Sequence, residues 1–133
     1  MPREKDIAHA YSLQQEAFLL PDTSKTRVVT FTQAAERFIQ CATASPSRDE
    51  GAEYYRQAGR CFTECSKYQQ AGDVFLNAEE YTLSAQAYRK ADMFDTAIHV
   101  VKEHPVEPGV ANHIIAVTRL HYFLTSSEER AVE

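Results

Sequence analysis

From Tyr55 to His104 the chain repeats itself every thirteen residues, and few folds accommodate so short a period. Tyr55, Tyr68, Tyr81 and Phe94 open four consecutive units. Ala58, Ala71, Ser84 and Ala97 follow three residues later, and then Gly59, Gly72, Ala85 and Ile98. Cys61, Val74, Ala87 and Val100 stand beside Phe62, Phe75, Tyr88 and Val101, and Cys65, Ala78, Ala91 and His104 close the units. The four units align without a gap.

Aromatic at the first position, small at the next third and fourth, large at the seventh and small at the tenth describe one face of an α-helix. Small residues let a neighbouring helix come close, and the flanking rings fill the space beside that contact. Thirteen residues make about three helical turns plus a connection of two or three residues. The turns are expected at Ser66-Lys67, Glu79-Glu80 and Asp92-Met93, so each unit is one short helix packed antiparallel on the next. Helices this short are marginal alone in water and bury their faces only against neighbours, which is the logic of a solenoid. Gly59 and Gly72 fall inside helices, where glycine costs about 1 kcal/mol against alanine. Their place at the small position implies close packing.

The pattern recurs upstream in Phe31, Ala34, Ala35, Phe38 and Cys41, at an offset of 24 rather than 26 from Tyr55. Ser45-Pro46-Ser47 reads as a loop, with Ser47 or Asp49 capping a helix that runs through Tyr55 toward Cys65. Whether that helix breaks near Glu53 is left open by the residues. Before the repeat, Ile7, Tyr11, Gln14 and Phe18 share one helical face that ends at Leu20-Pro21. Asp22, Thr23 or Ser24 caps the next helix, which carries Val28, Phe31 and Phe38. After the repeat, Pro105-Val106-Glu107-Pro108-Gly109 breaks the period. A helix from about Val110 to Leu124 follows, with Ile114, Val117, Leu120 and Tyr122 apolar. Ser126-Ser127-Glu128-Glu129 has the form of a capping box opening a further helix. That helix would have almost no chain left to it, which suggests a piece of a longer protein.

Four glycines and five prolines in 133 residues are too little turn punctuation for an all-β fold. A net charge of −5 works against phosphate backbones, and basic pairs such as Arg89-Lys90 sit among carboxylates. Met1-Pro2-Arg3-Glu4-Lys5-Asp6 leads into no apolar stretch of the secretory kind, and no apolar run approaches a membrane span. Three cysteines do not make a disulfide framework and fit a cytosolic or nuclear home.

Cys61 and Cys65 share a helix face, but a zinc site needs four ligands, and both occupy positions held elsewhere by Val or Ala. They read as packing residues. His9, His99, His104, His113 and His121 read as surface or helix-end residues, since no oriented nucleophile accompanies them. The acidic residues Glu50, Glu53, Glu64, Asp73, Glu79, Glu80, Asp92 and Asp95 are scattered, several at helix starts where the dipole favours them. Ala58-Gly59 and Ala71-Gly72 lack the Lys-Ser/Thr of a phosphate loop. No catalytic, cofactor-binding or metal residue is therefore assigned. The outward positions are Gln69, Gln70, Asp73, Asn77, Gln86, Arg89, Lys90 and Lys102, while the seven tyrosines fall mostly on the buried stripe.

The units Tyr68-Gln-Gln-Ala-Gly-Asp-Val-Phe-Leu-Asn-Ala78 and Tyr81-Thr-Leu-Ser-Ala-Gln-Ala-Tyr-Arg-Lys-Ala91 resemble the tetratricopeptide-like superfamily, most of all its short-helix variants with Ala-x-x-Tyr-x-x-Ala blocks. The resemblance covers roughly residues 31 to 104. Two units span 26 residues rather than the standard 34, so peptide-binding residues of that repeat do not carry over. Ala58 to His104, with the Pro-rich break and Arg119-Leu120-His121-Tyr122-Phe123, is also similar to helical-repeat regions of large superfamily 1 helicase-like proteins with tetratricopeptide and ankyrin repeats. That likeness implies a docking or regulatory segment of an ATPase whose ATP site lies elsewhere.

The expected fold is all-α, antiparallel short helices stacked as a tetratricopeptide-like α-solenoid in one domain over 1–133. It comprises an N-terminal helix over 3–20, repeat units over 24–104, and a C-terminal helix with the start of another over 107–133. The expected function is a noncatalytic scaffold for a protein partner or other domains of a parent chain, without direct nucleic-acid or membrane contact. The alternatives are a structural segment of a helicase-like ATPase and a small all-α enzyme.

Overall fold

The computed structural model describes residues 3–132, with side chains as far as Ser126. Among them the chain is all-α: α1 (Glu4–Leu19), α2 (Lys25–Ala44), α3 (Arg48–Glu64), α4 (Tyr68–Asn77), α5 (Tyr81–Lys90), α6 (Phe94–Glu103) and α7 (Pro108–Val132). Each helix packs on the next in sequence, and α7 also reaches back to α5. No described helix is long and apolar enough to cross a membrane.

The thirteen-residue period has a backbone cause. Ser66, Glu79 and Asp92 take φ values of 60°, 60° and 59°, in the left-handed region. Their N–H groups donate to Thr63, Leu76 and Arg89, and the next N–H groups, of Lys67, Glu80 and Met93, donate five residues back to Phe62, Phe75 and Tyr88 at 2.8–2.9 Å. This is the Schellman closure of a helix end. The same three residues then start the following helix, their carbonyls accepting from Ala71, Ser84 and Ala97. Three residues thus end one helix and begin the next. With ten in each of α4, α5 and α6, the sum is the period.

Packing explains the small positions. A Cβ built on Gly59 would lie 2.6 Å from the Phe75 ring, and one on Gly72 would lie 2.8 Å from the Tyr88 ring. In the third unit Ala85 takes the glycine's place and Val101 the ring's, and both belong to the second core cluster. Glycine is present where the neighbour presents a ring. Ser84, fully buried at the other small position, donates its hydroxyl to the Gly72 carbonyl at 2.9 Å, which satisfies it while fastening α5 to α4. Beyond Gly72, the Tyr88 hydroxyl donates to Asp73 at 2.5 Å.

Two clusters form the core. The first joins α1 to α5 around Phe31 and Phe38, with the rings of Tyr11 and Phe18 set edge-on against them at 4.9 Å. The second joins α5, α6 and α7 around Val100 and Ile114. Ala87 on one side of α5 belongs to the first cluster, and Ala85 and Tyr88 on the other side belong to the second.

The helix through Tyr55 does not break near Glu53. The Ser47 hydroxyl accepts from the Glu50 N–H at 3.2 Å, and α3 runs on to Glu64, so the first unit is the second half of a longer helix. Ser24 precedes α2 without a side-chain cap bond. In α1 the buried residues are Ala10, Gln14 and Ala17, while Phe18 stays 38% exposed. Close contact with α2 admits small residues at its centre and leaves the larger ones at its flanks. The first-position aromatics Tyr55, Tyr68, Tyr81 and Phe94 are half-buried, and of the tyrosines only Tyr88 is buried. In α4, α5 and α6 that residue is the first of its helix, beside the turn, and projects to the edge of the contact rather than its middle.

The Pro-rich break fixes the start of α7 and ties it to α5. Glu107 accepts from the N–H groups of Gly109 and Val110, both at 2.9 Å, which keeps its carboxyl below the usual range, and Pro108 takes the first helical position. The Glu107 N–H donates to the Thr82 hydroxyl, tying the break to α5. The expected second start at Ser126-Ser127 is not found: the α7 backbone continues to Val132. A capping residue needs an extended backbone, whereas Thr125 turns its hydroxyl back onto the His121 carbonyl within an unbroken helix.

Gly59→Ala and Gly72→Ala are each expected to lower stability by roughly 1–2 kcal/mol in urea denaturation, because overpacking outweighs the gain in helix propensity. Phe75→Leu should restore part of the loss in the Gly59→Ala background, as a double-mutant cycle would record. Glycine at Ser66 and at Glu79 is expected to raise stability by about 0.5–1 kcal/mol each, and at Asp92 by less, since aspartate tolerates the left-handed region better.

Candidate functional site

Neighbours joined by three-residue turns and packed along their length run antiparallel, so α3 and α5 point the same way with α4 between them. These alternate helices are not among the closely packed pairs. A groove of about 380 Å³ lies in the gap. Arg56, Arg60 and Glu64 form its α3 wall, Leu83, Gln86 and Lys90 its α5 wall, and Tyr68 and Phe75 of α4 its floor. The two walls are the same face of the repeat, with Arg60 and Gln86 equivalent, as are Glu64 and Lys90.

The charges on the walls are not all engaged. Arg56 pairs with Glu53 and donates to Glu80 at 3.0 Å. Glu64 is held by Arg27, which also donates to the Glu64 carbonyl at 3.2 Å and so closes the end of α3. Arg60 lies over the Phe18 ring at 5.1 Å and Lys90 over the Tyr68 ring at 5.5 Å. Neither cation has an ion-pair partner among the described residues. Between them Leu83 is 40% exposed. A second, smaller hollow of about 270 Å³ lies between α5 and α7, lined by Arg89, Lys90, Glu107 and His113.

Of the expected outward residues, Gln69, Gln70, Asp73, Asn77, Lys90 and Lys102 are exposed, and Gln86 and Arg89 are half-buried. Only Gln86 and Lys90 reach the groove. Arg56, Arg60 and Leu83 had not been singled out. The signal that would have found Leu83 is its repeat position, where Gln57, Gln70 and Thr96 stand in the other units.

Cys61 is fully buried, accepts a 3.6 Å hydrogen bond from Gln14, and has its thiol pushed up to about 12 by burial. Gln14 also donates to Gln57 at 3.0 Å, which accounts for a buried amide on α1. Cys65 is half-buried at the end of α3. Among the described residues no three His, Cys, Asp or Glu side chains gather as metal ligands. His104 stacks on Tyr81 at 4.1 Å and His121 on Phe94 at 4.3 Å, while His9, His99 and His113 are exposed.

Comparison with known protein families, with curated proteins and with solved structures returns no match to this chain.

Cys61 is expected to react with a thiol reagent at pH 8 roughly a thousandfold more slowly than in the unfolded chain, its thiolate being that much rarer. The native state keeps a proton that the unfolded chain releases above its ordinary value of 9.0. Stability from this source is therefore complete below pH 9 and declines as pH rises toward 12. Denaturation midpoints across that range, against Cys61→Ala, measure it.

Proposed function

We propose that this chain is a noncatalytic helical-repeat module, a tetratricopeptide-like solenoid of short helices that holds a protein partner or a neighbouring domain. The observation that carries this reading is the groove between α3 and α5. Three consecutive units build it, and its wall residues Arg60, Leu83 and Lys90 belong to neither core cluster. Their side chains are spared from holding the stack together. Stacked repeats offer such surfaces because alternate helices line one side of the array. Three unpaired cysteines accord with a cytosolic or nuclear setting.

The test is affinity capture with the folded chain, compared with Phe38→Ala, which removes a core ring away from the groove at a cost of about 3–5 kcal/mol and so loosens the stack. A protein held by the wild type and released by the variant, and binding in a defined ratio by calorimetry once purified, is the expected result. Equal recovery by the folded and the loosened chain would overturn the proposal.

A further inference from the structure

Resting on the docking reading above, we infer that the α3–α5 groove takes a short acidic peptide segment that inserts one bulky apolar side chain between Arg60 and Lys90. The chain carries a net charge of −5, yet these two cations on the groove walls have no carboxylate partner among the described residues. Both lie against aromatic rings, Phe18 and Tyr68, which hold a cation in place without neutralising it. Glu64 on the same wall is already held by Arg27, and Arg56 by Glu53 and Glu80, so the charge left uncompensated in the groove is that of Arg60 and Lys90 and favours carboxylates.

The space between the cations selects the rest of the ligand. Leu83 exposes apolar surface on one wall, and the Phe75 and Tyr68 rings lie beneath. At about 380 Å³ the groove is near the lower end of the range for ligand sites, room for a side chain or two and not for a packed helix. Gln86, also on a wall, supplies an amide suited to a peptide backbone. Anchoring by one buried apolar side chain with flanking charges is a common way for small surfaces to reach specificity. Because net charge opposes an acidic ligand at long range, attraction is confined to within about a Debye length of roughly 8 Å at physiological salt.

The test is a fluorescence anisotropy titration with a fluorescein-labelled nonapeptide carrying one central Phe between runs of Asp and Glu. Saturable binding is expected, about tenfold weaker when the central residue is Ala. Lys90→Glu is expected to weaken it about tenfold and Arg60→Glu with Lys90→Glu further still, while that double variant should prefer the matching Lys-flanked peptide. Both positions are exposed, so the variants should fold, and unchanged circular dichroism would verify it. Leu83→Asp gives an independent loss through the apolar wall.

Absence of saturation, equal binding to the charge-reversed variants, or displacement by an equimolar single-stranded oligonucleotide or phenylacetate would each overturn the assignment. The two proposals fail separately. A purified partner that still binds the Arg60→Glu, Lys90→Glu chain would remove the groove assignment and leave the docking reading. Loss of every fold-dependent partner would remove the docking reading itself.

Discussion

The ring of Phe75 lies on Gly59 and that of Tyr88 on Gly72, and these contacts set how closely adjacent helices approach. A helix of ten residues holds together poorly by itself in water. It persists here because α4 and α5 each present a ring to the helix before and a small residue to the helix after. The hydroxyls of Ser84 and Tyr88 add directional bonds to the same contact, so α5 meets α4 in one register. Where the third unit replaces glycine by Ala85, a smaller Val101 answers it. Helix separation is thus adjusted unit by unit within a single sequence.

The distance so fixed between neighbours determines the distance between alternate helices, and with it the groove. Helix α4 holds α3 and α5 apart while showing its own rings at the bottom of the gap. Between α5 and α7 the arrangement differs, since Glu107 ties the break to Thr82 and draws the two helices into contact. The α3–α5 gap holds about 380 Å³ and the α5–α7 gap about 270 Å³, the latter bounded by a helix that follows the Pro-rich break rather than by a thirteen-residue unit.

Much of the fold was legible because periodicity is a local signal. The three turns fell at the expected residues, and Gly59 and Gly72 proved to be the close approaches their positions implied. The misreadings came where local signals compete. Ser126-Ser127 has the letters of a cap, but a cap requires a break in the backbone that nothing in α7 supplies. Phe18 and Tyr11 do meet α2 through Phe31 and Phe38, but spacing did not mark Ala10 and Ala17 beside them as the buried centre of that contact. The groove was barely legible. It arises from helices two units apart, and only Gln86 and Lys90 among its residues were marked as outward. Leu83 departs from the polar residues at its repeat position, a hint visible only once the units are set against one another.

Contacts made almost wholly between sequential helices give the chain a low contact order, the topology associated with rapid folding. During synthesis α3, α4 and α5 each meet the next helix once its ten residues are made, so little of their apolar surface waits uncovered. Longer connections are few: Gln14 of α1 reaches Gln57 and Cys61 of α3, and α7 returns to α5, bridged by Glu107 and Thr82 across a sequence separation of 25. Until α7 is made, the face of α5 that carries Ala85 and Tyr88 lacks the cover of Ile114.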